Sequence, residues 1–158
     1  MLLLAVALVV QMGGFPQPIT GPLINTVLYL SALLVGSWSG IIIGLCTPVI
    51  AFMRGILPPP LGPMIPFIAL GNGFLVIVFS LLKGKNKILG IITASLVKYL
   101  ILFTAVSYIV DVPDKIAKVM SLPQLFTALS GGVIAILAYK ALWVIGIDRT
   151  KEIVKDIK

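Results

Sequence analysis

The stretch ILGIITASLVKYLILFTAVSYIV, residues 88–110, decides how the rest of the chain is read. As a helix it is long enough to cross a hydrocarbon core of about 30 Å. Its single charge, Lys98, falls near the middle. A lysine at that depth costs about 2.5–3.5 kcal/mol on insertion scales, which makes it a functional-site expectation by default. Outward from this stretch, the charges fall between apolar runs. All five carboxylates (Asp111, Asp114, Asp148, Glu152 and Asp156) lie outside them.

Composition agrees with the pattern. Hydrophobic residues make up 59% of the 158-residue chain and charged residues 11%, where a soluble domain carries about 25% charged residues. Mean hydropathy is +1.18. Six spans of about 20 residues would use roughly 120 residues, leaving only short loops and no soluble domain. The expected fold is therefore an all-α integral membrane protein. A six-transmembrane-helix bundle over residues 1–146 is followed by a charged cytoplasmic tail, 147–158. The net charge of +7 reads as basic residues held on the cytoplasmic side rather than as a nucleic-acid surface. One cysteine and no histidine argue against a disulfide framework, a metal site or another cofactor. Cys46, inside an apolar run, reads as a small buried hydrophobe.

The first run, Met1–Met12, reaches only about 18 Å as a helix, which leaves two readings: a true start a turn or two upstream, the favoured expectation, or a short helix sheltered by its neighbours. Gly13–Pro22 (GGFPQPITGP) reads as a loop. The apolar stretch Leu23–Met53 is too long for one span, and the GSWSG at 36–40 divides it into helices over 21–35 and 37–53, with Trp38 at a membrane interface. Gly36, Gly40 and Gly44 recur every four residues, as close helix packing requires. Arg54–Pro66 holds five of the eleven prolines and reads as a stiff loop rather than a helix. A fourth span is expected over 67–82, the fifth over 88–110 and the sixth over 123–145. Between the last two, Ile116, Val119 and Met120 alternate with Lys115 and Lys118, the pattern of a short amphipathic helix at the interface.

Orientation follows from the basic residues. With the N-terminus inside, Lys83, Lys85, Lys87, Arg149, Lys151, Lys155 and Lys158 are cytoplasmic, while Arg54, Lys115 and Lys118 are outside. That asymmetry gives N-in and C-in and places all three long loops on the outer side, the geometry of an outward-opening site.

The candidate site follows from polar residues inside the spans. The side of the fifth span that holds Lys98 also holds Gly90, Ala94, Ser95, Leu102 and Ala105, so it should face the bundle. There the ammonium meets either a ligand carboxylate or phosphate, or else backbone carbonyls and polar side chains. Asn72, between Gly71 and Gly73, and Asn25 each serve a ligand or a neighbouring helix. Tyr29 lies one turn beyond Asn25 and is placed to line the same cavity. Gln17 and Arg54, in or next to outer loops, stand at its mouth, with lipid headgroup contact the alternative for Arg54. Absences bound the function further. No span holds a carboxylate for a proton relay, no P-loop motif is present, and no nucleophile–base constellation is available for an enzyme.

Three segments carry a resemblance: GPLINTVLYLSALLVG (21–36), LPPPLGPMIPFIALGN (57–72) and SLVKYLILF (95–103). Together with length and topology they resemble the substrate-binding S components of energy-coupling-factor (ECF) vitamin transporters, over about residues 11–145. The resemblance implies a six-helix bundle of a prokaryotic cell membrane that binds a vitamin-like small molecule in its outer half under closing loops. It also implies partners: a transmembrane coupling subunit and two cytoplasmic ATPases, with toppling in the bilayer to release substrate. Carried across, Gln17 helps gate the site, and Asn72 and Lys98 line it. One departure concerns the small residues that such proteins carry in an AxxxA-like pattern on the first helix. Here Ala5 and Ala7 are two apart and Val9 stands where a second alanine would fall, so either the motif lies upstream of Met1 or coupling uses other surfaces; Gly36, Gly40 and Gly44 are one such surface, and packing within the bundle explains them equally well. The alternative from another class is a membrane-embedded accessory subunit with no small ligand.

Overall fold

The computed structural model describes residues 2–144; the charged tail expected over 147–158 lies outside them. The described residues form helices α1 (Leu2–Met12), α2 (Gln17–Leu34), α3 (Ser37–Met53), α4 (Ile65–Leu82), α5 (Lys87–Thr104), α6 (Asp114–Val119) and α7 (Leu122–Val144). Among them no strand occurs, and the fold is an all-helical bundle. Helix α2 packs along α3 and α7, and α4 is flanked by α3 and α5.

By length and apolarity, three segments qualify to cross a membrane: Pro59–Leu82, Lys87–Ile109 and Asp114–Val144. Helices α1 and α3 are apolar but shorter. Helix α2 is diluted by Gln17, Thr20, Asn25 and Thr26. Of the six expected spans, those at 67–82, 88–110 and 123–145 correspond to segments that meet these criteria.

Four boundaries differ from the sequence reading. Helix α2 begins at Gln17, inside the expected loop, because Pro18 occupies its first turn, where a fixed φ is favourable and no N–H is needed. Thr20 Oγ1 donates to the Phe15 carbonyl at 2.8 Å and ties the connection down. The proline-rich segment is also not wholly loop: Pro59–Met64 winds into a 3-10 helix, since the proline φ suits that geometry as well as an extended one. The fifth helix does not continue unbroken to Val110; Ala105–Ile109 widens into a π turn, closed by Val110 N–H donating to the Ala105 carbonyl at 2.8 Å. The amphipathic segment contracts to α6, its Lys115 and Lys118 exposed and its Ile116 and Val119 packed on Leu61, Met64, Leu102 and Met120.

The start of α5 is fixed by Asn86. Its Oδ1 accepts from Ile88 N–H (2.9 Å) and Leu89 N–H (3.1 Å), satisfying two of the orphan donors at a helix N-terminus. Near that end of the bundle Lys83 Nζ donates to the Ala32 carbonyl in the last turn of α2, and Lys87 Nζ lies 4.8 Å from the centre of the Tyr139 ring. Trp38 and Trp143, both exposed, stand at the same end.

Two apolar clusters build the interior. One, around Leu28, Tyr29, Leu75, Val76, Phe79 and Ile91, fills the half nearer the lysines. The other, around Leu61, Met64, Leu102, Ala105 and Met120, fills part of the opposite half. Between them lies a polar layer.

Candidate functional site

The polar layer is centred on Lys98, which is 4% exposed. The expected helix face is the buried one: Gly90, Ala94, Ser95, Leu102 and Ala105 are all inside. Lys98 Nζ donates to Asn25 Oδ1 at 2.7 Å and to Asn72 Oδ1 at 2.8 Å. Of the protein partners expected for the ammonium, polar side chains rather than backbone carbonyls take this role: two amide oxygens. An ammonium has three donors and no acceptor, so one N–H is left over.

The orientation of both amides follows from their partners. Asn72 turns its oxygen to Lys98 and donates through Nδ2 to the Gly44 carbonyl at 3.1 Å. That carbonyl is available because its helical donor would be the N–H of residue 48, and Pro48 has none. Asn25 also turns its oxygen to Lys98, which leaves its amide N–H groups without a protein partner. The layer links α2, α3, α4 and α5 through three side chains.

Small residues let these side chains fit. A Cβ on Gly131 would lie 2.7 Å from both Asn25 Cβ and the Pro22 carbonyl oxygen, and one on Gly44 would lie 3.0 Å from Asn72 Cβ. Both are closer than real Cβ contacts comfortably allow. Gly40 and Gly44 are buried against α2 and α4, so the small-residue row on α3 is used within the bundle.

Lys98, Asn25 and Asn72 line a cavity of about 480 Å³, within the range of sites for small molecules and cofactors. Its walls come from the ends of the helices on the side of the three long connections. Gln17, Thr20 and Ile24 belong to α2, Thr47, Pro48 and Ala51 to α3, Ile56–Pro58 and Leu61 to the proline-rich segment, and Lys115, Ile116 and Val119 to α6. No carboxylate is among the lining residues. Among the described residues no three His, Cys, Asp or Glu side chains come together as a metal site.

Of the six residues expected from sequence, Lys98, Asn25, Asn72 and Gln17 line this cavity, Gln17 from the first turn of α2 rather than from a loop. Tyr29 does not. Its hydroxyl stands 3.1 Å from Ser95 Oγ and donates to the Ile91 carbonyl at 3.4 Å, while its ring meets Phe79 edge-on at 4.8 Å. It is a polar link inside the apolar cluster, a turn beyond the cavity floor. Arg54 also stands apart, exposed at the end of α3.

Sequence reasoning missed Gln11, Thr47, Lys115 and Gln124, all of which line the cavity. The Thr47-Pro48 pair carried a signal, a polar residue beside a mid-span proline. Lys115 carried a misleading one, since the amphipathic pattern assigned it to solvent, yet its chain reaches the rim.

A buried lysine at the base of a carboxylate-free cavity of small-molecule size, set in an apolar helical bundle, gives the features of a helical membrane protein with an internal cavity. The chain matches the family described as "ECF transporter, substrate-specific component" over residues 2–144, and it belongs to that family. The family consists of membrane transport subunits rather than enzymes, and membership entails a small-molecule substrate and association with other ECF transporter components. No curated protein and no solved structure matches the chain.

Proposed function

We propose that this protein is the high-affinity binding subunit of an ATP-driven importer for a vitamin or related micronutrient, and that the micronutrient carries an anionic group that docks on Lys98. The observation that carries this reading is the Lys98 ammonium, buried at the cavity base between two neutral amide oxygens. Burying a charge without a countercharge is expensive, and a ligand anion supplies the missing partner. The unused donor on Lys98 and those on Asn25 give that anion directed hydrogen bonds.

In this reading six helices cross the membrane of a prokaryotic cell with both termini in the cytoplasm. Lys83, Lys85 and Lys87 mark the inner end. The connections at 13–16, 54–64 and 110–121 then close the cavity from outside. The absence of a carboxylate among the cavity-lining residues argues against ion coupling through an acidic relay and favours energy from partners: a transmembrane coupling subunit and two cytoplasmic ATPases.

Native mass spectrometry of the purified protein tests the binding half of this proposal, with one retained small molecule expected. Uptake by proteoliposomes tests the coupling half, with transport expected only when the coupling subunit and ATPases are present and ATP is supplied. A protein that retains no small molecule and still co-purifies with a larger complex would instead be an accessory subunit.

A further inference from the structure

We propose that the lysine-rich end of the bundle carries a binding site for an anionic phospholipid, formed by Lys87 of α5 and by Lys140 and Trp143 of α7. None of the three lines the cavity, and the site does not depend on what the cavity holds.

Charge is divided unequally between the two ends of the molecule. At the end with the long connections, Arg54, Lys115 and Lys118 stand with Asp111 and Asp114. At the other end stand Lys83, Lys85, Lys87 and Lys140, with no carboxylate among the described residues. The sequence beyond, 145–158, holds four basic and three acidic residues, so its own charges nearly cancel. A basic end orients a membrane protein wherever on that end its lysines lie. Here two of them come to one spot from two different helices. Lys83 is not part of it, because its Nζ donates to the Ala32 carbonyl.

The spot is built on Tyr139. Lys87 Nζ lies 4.8 Å from the centre of its ring, a cation–π contact that holds the ammonium against α7. Lys140 follows Tyr139 about 100° round the helix, and Trp143 lies one turn further on, between the two in angle. Lys87, Lys140 and Trp143 are all exposed.

What the cations border decides the class of partner. Val133, Leu137, Lys140 and Val144 recur at helical spacing and form one stripe along α7, and all four are exposed. The stripe is apolar for about two turns and then carries a lysine beside a tryptophan. A free phosphate would use the lysines and leave the apolar stripe bare. A phospholipid uses both, with acyl chains along Val133 and Leu137 and the headgroup phosphate at Lys87 and Lys140. Net charge then selects among headgroups. A choline or ethanolamine cation would meet two lysines and no carboxylate, whereas an anionic headgroup meets only attraction.

Brominated lipids read this site directly, because bromine on an acyl chain quenches a tryptophan that the chain touches. The protein has two tryptophans, Trp38 and Trp143, both exposed at this end. Trp38→Phe leaves Trp143 as the reporter, and Trp143→Phe leaves Trp38 as the control in the same leaflet. Each purified protein would be reconstituted in phosphatidylcholine vesicles containing increasing brominated phosphatidylglycerol or brominated phosphatidylcholine. At Trp143 phosphatidylglycerol is expected to bind about fivefold tighter than phosphatidylcholine, the scale of a basic side chain at a membrane surface. At Trp38 the two lipids are expected to quench alike. Lys87→Gln combined with Lys140→Gln is expected to abolish the preference at Trp143, and Lys87→Arg combined with Lys140→Arg to retain it. Equal quenching of Trp143 by both lipids overturns the site. A preference that survives the glutamine pair overturns it too, as does one equally large at Trp38, which is attraction by the whole basic end. If Trp143 shows no preference and the glutamine pair instead weakens co-purification with other transporter components, the cations serve a protein partner and the lipid site falls.

Discussion

Pro48 on α3 sets the orientation of Asn72 on α4. By lacking an N–H, Pro48 leaves the Gly44 carbonyl free within its own helix, and Asn72 Nδ2 takes it at 3.1 Å. With its nitrogen committed there, Asn72 presents its oxygen to Lys98. A helix defect on one element thereby fixes the acceptor that holds a cation on another.

Replacing that proline gives the first prediction. In Pro48→Ala the restored N–H competes for the Gly44 carbonyl, and Asn72 loses its anchor. Helix α3 should become more regular and its thermal stability equal or higher, because an interior proline disfavours a helix by about 3 kcal/mol. Affinity for the retained ligand should fall about tenfold, the equivalent of one hydrogen bond of about 1.4 kcal/mol. Thermal unfolding in detergent beside titration calorimetry checks both, and a loss of stability with unchanged affinity would contradict the linkage.

Gly131→Ala tests the close approach that positions Asn25. The added Cβ would meet Asn25 Cβ and the Pro22 oxygen at 2.7 Å and Thr26 N at 3.0 Å, mostly backbone and Cβ atoms that cannot step aside. Overpacking of this kind costs about 1–3 kcal/mol, so the unfolding midpoint should drop by several degrees. Gly84→Ala, with nothing within 4 Å, is the control and should leave it unchanged.

Tyr29→Phe separates the core from the site. The variant keeps the edge-on contact with Phe79 and loses the hydrogen bonds to Ser95 and Ile91. About 1 kcal/mol of stability should be lost, with ligand affinity unchanged because Tyr29 does not line the cavity. A large loss of affinity would return Tyr29 to the binding site.

Orientation can be read with a membrane-impermeant maleimide on intact cells. In a Cys46→Ala background, Lys115→Cys should be labelled from outside and Lys85→Cys only after the cells are opened. The reverse pattern would invert the proposed topology.

Much of this arrangement was legible in the sequence, for identifiable reasons. Lys98 stood out because a charge in an apolar span is costly wherever it lies. Its buried face followed from helical spacing to Gly90, Ala94 and Ala105, and helix α3 was bounded correctly by the glycine turn before it and Arg54 after it. The positions of Gln17, Thr47 and Lys115 were harder to read. Proline fits the first turn of a helix as well as a loop, so Pro16 and Pro18 did not reveal that α2 starts between them. Thr47 is one hydroxyl in an apolar helix, and only its missing carbonyl partner distinguishes it from Thr26 or Thr93, which donate to Pro22 and Leu89. Partner choice was the least legible of all. Lys98 needed acceptors, but that two asparagines from α2 and α4 converge on it depends on the close passage of Gly131 and Gly44.

Lys98→Met in the purified protein tests the central claim most directly, with titration of the small molecule that wild type retains. The account predicts that this molecule is anionic at neutral pH. Its affinity should fall by about thirtyfold or more, as expected for the loss of a buried charge partner worth roughly 2–5 kcal/mol. The ligand-free protein should unfold at an equal or higher temperature, because an apolar side chain replaces a buried charge. A retained molecule that is neutral or cationic, or an anion that Lys98→Met binds as tightly as wild type does, would contradict it.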